Sequence, residues 1–164
     1  MWFLEELPLG NWGTLTRLHK AKHYAKQTNV TCLAEDSGLC IKALAEMPGV
    51  RSKDFIQESG GIDRAISRLK TQLEKKPKNS PFSASIRSAV AIYDPLTDKL
   101  LYNEAVDMGV LSFPPRGNLG FGFDPIFIPE GQLLTFAELG TENKNRISQR
   151  TEIIESLLKS FFNR

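Results

Sequence analysis

A chain of 164 residues, of which 24% are charged and 41% hydrophobic, has the size of one domain that buries roughly 70% of its unfolded surface. Its formal net charge of +2 excludes a protein that coats nucleic acid through its field and favours a small, specific ligand instead. No apolar run approaches the ~20 residues that span a bilayer, and the opening Met-Trp-Phe-Leu-Glu-Glu lacks the basic flank of a signal peptide. The expectation is therefore a cytoplasmic protein with no membrane and no nucleic-acid partner. Cys32 and Cys40 have no His or Cys neighbours at zinc spacing, so they are expected as reduced thiols buried in the core.

In chain order, Thr14 to Gln27 carries Leu15, Leu18, Ala21 and Ala25 at helical spacing, with Thr14 in capping position and Arg17 and Lys20 off the apolar stripe. That pattern predicts an amphipathic helix. Val30 to Ala34 reads as a short apolar strand, Glu35-Asp36-Ser37-Gly38 as an acidic turn, and Leu39 to Leu44 as a second apolar run. Met47-Pro48-Gly49 reads as a turn. Ile62, Ala65, Ile66, Leu69 and Leu73 share one face of a second helix, which Glu74 to Ser80 follows as a loop.

Phe82 to Tyr93 and Leu100 to Val110 alternate as two strands, and Asp94-Pro95-Leu96-Thr97-Asp98 connects them as an antiparallel hairpin. A last helix runs from about Ser148 to Phe162, with Ile154, Leu157, Leu158 and Phe161 as its buried stripe. Helices interleaved with strands, plus a central hairpin, predict the α/β class: a single domain spanning 1–164, built on a mixed twisted sheet with helices packed on it.

Asp36 is the leading candidate for catalysis. A carboxylate at the end of a buried strand, beside Glu35 and the flexible Gly38, can hold a divalent cation through oxygen or orient a water for attack on phosphorus. The same four residues also fit an acidic β-turn whose Asp36 and Ser37 bond their own backbone. Lys20, Lys53, Lys144 and Arg150 fit a clamp on a triphosphate, though each alone is more often a solvated surface charge.

The densest signal is Pro115-Arg116-Gly117-Asn118-Leu119-Gly120-Phe121-Gly122-Phe123-Asp124-Pro125-Ile126-Phe127. Three glycines in six residues let a backbone turn tightly and approach a ligand closely. Phe121 and Phe123 supply flat surfaces for a planar base, or one of them belongs to the core.

Ala34 to Leu39, Ala43-Leu44, Met47 to Ser52, Arg116-Gly117 to Pro125, Ala137-Glu138-Leu139 and Lys144-Asn145 to Arg150 together resemble the inosine/xanthosine triphosphate pyrophosphatases, in order and over about residues 14–160. The resemblance implies an ITPase-like fold, a homodimer, and Mg²⁺-dependent hydrolysis of noncanonical purine nucleoside triphosphates (ITP, XTP, dITP) to the monophosphate and pyrophosphate. It implies Asp36 as the catalytic, metal-binding acid, Ser37 as a substrate contact, Lys20 as a phosphate-binding lysine and Lys53 as a basic substrate contact. Phe121, Gly122, Phe123 and Asp124 match the loop that cups the base, with Phe121 stacking, and Lys144, Gln149 and Arg150 match the segment that reads its 6-keto edge. Adenine presents a donor at position 6 where hypoxanthine presents an acceptor, so donors there reject ATP by leaving polar groups unpaired.

Three departures accompany the resemblance. The family's opening strand and its Ser/Thr-x-Asn-x-x-Lys phosphate loop have no counterpart ahead of Met1-Trp2-Phe3-Leu4, so the chain is expected to be N-terminally truncated relative to the family. The family's second metal ligand is a glutamate, often just after a Leu-Pro; here Leu9 follows Leu7-Pro8, Glu5 and Glu6 lie close, and Glu6 is the candidate. The usual Ser-His-Arg is Ser148-Gln149-Arg150, and Gln bonds a base but carries no proton. The alternative that follows is a degenerate homologue that binds nucleotide or a partner chain without turnover.

Overall fold

The first apolar stripe forms where its spacing places it. In the computed structural model, which describes residues 14–77 and 82–162 with side chains from Leu18 onward, helix α1 (Thr14–Thr28) buries Leu18, Ala21 and Ala25. The acidic segment that follows is not a turn. Strand β1 runs unbroken from Cys32 to Ile41, so Glu35-Asp36-Ser37-Gly38 lies within it. None of the four adopts a positive φ, and β1 is hydrogen-bonded to β3 in the sheet, whose ladder supplies partners that a turn would otherwise have to find locally.

The chain reverses later than the sequence suggests, through a 3₁₀ turn at Lys42–Leu44 and two left-handed residues, Ala45 (φ 53°) and Glu46 (φ 65°). Met47-Pro48, expected as a turn, is instead the short strand β2 (Met47–Pro48), paired antiparallel so that Cys40 faces Pro48 and Ile41 faces Met47. Gly49–Arg51 forms a second 3₁₀ turn leading into α2 (Ser52–Glu58). Seven residues with Phe55 as the one buried large apolar side chain are too short for a periodic signal, which is why α2 is not evident in the sequence.

Helix α3 (Ile62–Glu74) buries Ala65, Ile66, Leu69 and Leu73, as its stripe requires. Strands β3 (Ser83–Asp94) and β4 (Lys99–Leu111) form the expected hairpin, closed by Asp94, which accepts from the Leu96 N–H at 3.1 Å and the Thr97 hydroxyl at 2.6 Å. After a 3₁₀ turn at Asp124–Ile126, β5 (Phe127–Pro129) pairs antiparallel with the end of β4. The five strands stand in the order β2-β1-β3-β4-β5. Helices α4 (Phe136–Ile147) and α5 (Gln149–Phe162) complete the chain.

Two compact units are built from interleaved segments. One contains α1, β1 to Asp36, Ala89–Glu104 and α5 from Ile153; the other contains Ser37–Ser88 and Ala105–Glu152. In the first, Leu18, Ala21 and Ala25 of α1 pack on Ala91 and Tyr93 of β3. In the second, Ile66, Leu69 and Leu73 of α3 join Leu39, Ile41, Phe127 and Phe136 in the larger core.

The α/β class is as expected, with helices packed on a sheet. The buried stripe of α5 is Ile153, Leu157 and Phe161, while Leu158 is exposed and Ile154 half-buried. The expected stripe is therefore displaced by one residue at its start, because Leu157-Leu158 and Ile153-Ile154 offer two apolar faces and packing chooses between them. Cys40 is buried and Cys32 half-buried, both as free thiols on β1. Among the described residues no helix is long and apolar enough to cross a membrane.

Candidate active site

The glycine-rich loop is built on the start of α4. Thr135, fully buried, accepts from the N–H of Glu138 at 3.1 Å while the Glu138 carboxylate accepts from the N–H of Thr135 at 2.8 Å. This reciprocal cap is written in the sequence as Thr-x-x-Glu, a signal for a helix that periodicity misses. The Thr135 hydroxyl donates to the carbonyl of Arg116 at 2.9 Å, and the Arg116 N–H bonds the Pro125 carbonyl at 2.8 Å. The loop between them is thus closed at its base and pinned to the helix. Gly117 (φ 80°) sits so close to α4 that a Cβ would lie 2.5 Å from the Ala137 carbonyl carbon and from the Glu138 nitrogen. Only glycine fits there, and this explains the coupling of Arg116-Gly117 with Ala137-Glu138-Leu139.

Inside the loop the two aromatics separate. Phe123 is 6% exposed and belongs to the larger core, whereas Phe121 is 62% exposed. One ring anchors the loop and the other faces outward. Asp124 determines this arrangement: its Oδ2 accepts from the Phe121 N–H at 3.0 Å, and Gly120 (φ 82°) lies where a Cβ would come 2.2 Å from that same oxygen. Both Asp124 oxygens also accept from Lys144 Nζ, at 2.8 and 2.7 Å. Asp124 is 2% exposed and Lys144 7%, so this is a buried ion pair, and Lys144 is not a surface cation.

Beyond this pair, the Lys144 ammonium lies 4.4 Å from the centre of the Phe121 ring and 5.0 Å from that of Phe136. The Arg150 guanidinium carbon lies 5.8 Å from the Phe121 ring. An exposed aromatic face flanked by two cations suits a planar ring that carries carbonyl acceptors, since the ring stacks and the cations donate. Arg150 is half-buried and Gln149 exposed, both in the first turn of α5. A Cβ on Gly122 (φ 57°) would meet nothing within 4 Å, so the loop is open on that side.

A residue outside the sequence reading holds this first turn. Asp107 of β4, 7% exposed, accepts from the Ser148 hydroxyl at 2.9 Å and from the Gln149 N–H at 2.8 Å. Its signal lay in the alternation of β4: Ala105, Asp107 and Leu111 are buried while Val106 and Met108 are exposed, so an acid occupies an inward position between apolar neighbours.

The remaining candidates lie along β1, α1 and α2. Asp36 is half-buried and Glu35 exposed, and as successive strand residues they point to opposite faces of the sheet. They therefore do not present a paired carboxylate site to one cation. Among the described residues no group of three His, Cys, Asp or Glu side chains is placed to hold a metal. Asp36 supplies one carboxylate on its face, and a hard divalent cation takes as few as one or two carboxylates when substrate phosphate oxygens complete its shell. Glu6, with Glu5, lies outside the described residues.

Ser37 shares a hydrogen bond of 2.7 Å with the Ser88 hydroxyl. Gly38, expected as a flexible point, is a buried packing position: a Cβ there would lie 2.1 Å from the Gly49 carbonyl oxygen. Ser52, also outside the sequence reading, bridges the same contact. Its hydroxyl donates to the Gly49 carbonyl at 2.8 Å and accepts from the Leu39 N–H at 2.9 Å. This lock sets the start of α2, where Lys53 is exposed; Lys20 is exposed on α1.

Fold and loop together define an α/β protein of known lineage. The Ham1 family model matches residues 15–160, and the chain belongs to that family. It is 38% identical over 140 residues to a dITP/XTP pyrophosphatase of Zymomonas mobilis, covering 85% of this chain and 66% of that one. To the dITP/XTP pyrophosphatase of Ruegeria pomeroyi it is 37% identical, covering 87% and 71%. Among solved structures, a HAM1 protein from Coxiella burnetii superposes with a TM-score of 0.79 at 35% identity, covering 90% of this chain and 76% of that chain. The nucleoside-triphosphatase / dITP/XTP pyrophosphatase of Mycobacterium abscessus superposes with a TM-score of 0.72 at 35% identity, covering 96% and 80%.

Proposed function

We propose that the protein hydrolyses noncanonical purine nucleoside triphosphates, of the ITP, XTP and dITP type, to the monophosphate and pyrophosphate. The observation that carries this reading is the outward Phe121 ring flanked by Lys144 and Arg150, in a chain of the Ham1 family with relatives that bear the name dITP/XTP pyrophosphatase. Phe121 stacks the base, with Gly122 leaving room for it. Gln149 and Arg150 donate to the 6-keto edge, and Lys144, held by Asp124, lends positive charge beneath the ring. Phe123 and Asp124 act from below as supports of the loop.

At the phosphate end, Asp36 orients the attacking water and accepts its proton, Ser37 contacts substrate, and Lys20 and Lys53 neutralise phosphate charge. Mg²⁺, held by Asp36 with phosphate oxygens, supplies further charge neutralisation when bound. In the same reading the protein is one ITPase-like domain and works as a cytoplasmic homodimer.

Incubation with ITP and Mg²⁺ should release pyrophosphate, and Asp36→Asn should abolish the release. The opposite-facing Glu35 and Asp36 favour a second reading, a homologue that binds nucleotide or a partner chain without turnover. Binding of inosine nucleotides with no pyrophosphate above blank at high enzyme would establish that reading instead.

A further inference from the structure

We infer that Asp107 is a positioning residue for base selection: by accepting from Ser148 and Gln149 together it sets where α5 begins, and so where Gln149 and Arg150 point. The inference rests on the reading above, in which these two side chains face the 6-keto edge.

A single residue separates the last two helices. Ile147 ends α4 and Gln149 begins α5, leaving Ser148 alone between them in extended conformation (φ −77°, ψ 124°). The Ser148 carbonyl accepts from the N–H groups of Thr151 at 3.0 Å and Glu152 at 3.4 Å, so Ser148 is the N-cap of α5. An N-cap serine ordinarily turns its own hydroxyl onto the first-turn N–H groups. Here that hydroxyl donates away from the helix to Asp107 Oδ2, and the first N–H, that of Gln149, is taken by Asp107 Oδ1.

The cap is therefore supplied from another strand. A carboxylate at a helix N-terminus also meets the positive end of the helix dipole. Because Asp107 is buried on β4, it ties the first turn of α5 to the sheet as well as to the end of α4. Each residue along a helix rotates the side-chain direction by about 100°, so a slip of the start by one residue would turn Arg150 away from the Phe121 ring beside which it lies, and would turn Gln149 with it.

The test is calorimetric binding of inosine monophosphate and adenosine monophosphate, which needs neither metal nor turnover, well below the unfolding midpoint of each variant. The wild-type chain should prefer inosine monophosphate; equal binding would overturn the base-reading assignment itself, and this inference with it. Asp107→Ala should lower the preference roughly tenfold, the scale set by two lost hydrogen bonds, while affinity for adenosine monophosphate changes little. Asp107→Asn, whose amide can accept from Gln149 and donate to Ser148, should keep the preference. A folded Asp107→Ala with the wild-type preference would overturn the inference, as would Asp107→Asn losing as much as Asp107→Ala. Should Asp107→Ala not fold, Ser148→Ala removes one of the two bonds and should lower the preference roughly threefold; an unchanged ratio would overturn the inference.

Discussion

Lys144 gives its ammonium group to both oxygens of Asp124, at 2.8 and 2.7 Å, with both side chains buried. The pair connects α4 to the turn that turns Phe121 outward, so the charge beneath the exposed ring is part of the scaffold that aims it. Desolvating two charges costs much of what their attraction returns, and the larger penalty falls on whichever charge is left alone.

Asp124→Ala should accordingly destabilise the fold by about 3–5 kcal/mol. The double change Asp124→Leu with Lys144→Met should recover most of that loss. Urea unfolding at constant slope measures both, and a single-variant loss below about 1 kcal/mol would mean that water reaches the pair.

The two aromatics of the loop should respond oppositely. Phe123→Ala empties a core position and should cost about 3–5 kcal/mol of stability. Phe121→Ala should change stability by less than about 0.5 kcal/mol, yet weaken inosine monophosphate binding by about 1–3 kcal/mol through lost stacking. Unfolding curves and calorimetry on the same two variants separate the effects.

At Gly38 the expected defect is steric. An added methyl would lie 2.1 Å from the Gly49 carbonyl oxygen, so Gly38→Ala must push β1 away from the Gly49–Ser52 turn and should cost about 1–3 kcal/mol. A thermal midpoint equal to wild type would show that the turn yields freely.

Base choice should follow the donors. With Gln149 and Arg150 offering donors at the 6 position, turnover of ITP should exceed that of ATP by roughly 10²-fold or more in kcat/KM. Arg150→Ala should lower that ratio, and the pair of substrates assayed side by side gives the answer directly.

The hairpin carries a pH signature. The Thr97 hydroxyl, and after it the Leu96 N–H, holds the Asp94 carboxyl below the usual carboxylate range. A carboxyl whose folded pKa is depressed stabilises the fold above its unfolded value of about 3.9, and that contribution is lost as pH falls through the lower, folded value. Stability measured from pH 5 downward should therefore fall less steeply in Asp94→Ala than in wild type.

Local patterning alone was enough to place α1, α3 and the β3-β4 hairpin: the two helices bury one face repeatedly along the chain, and the hairpin shows as two strand-like runs joined by a short Asp-Pro turn segment. Motif order alone likewise pointed to the family, and Thr135-x-x-Glu138 carried a helix start that depends on four residues only. Tertiary structure decided the rest. Whether Glu35-Asp36-Ser37-Gly38 turns or extends depends on the pairing of β1 with β3, which lies about fifty residues on and which sequence proximity does not reveal, and extension is what sends Glu35 and Asp36 to opposite faces. Which of Phe121 and Phe123 is buried depends on Asp124 meeting Lys144 twenty residues away, and the face α5 buries is chosen by packing, since the sequence offers Leu157 and Leu158 equally. Asp107 acts through partners about forty residues away, and Ser52 joins its neighbour Gly49 to Leu39 thirteen residues back, so their roles exist only once the sheet and the helices are assembled.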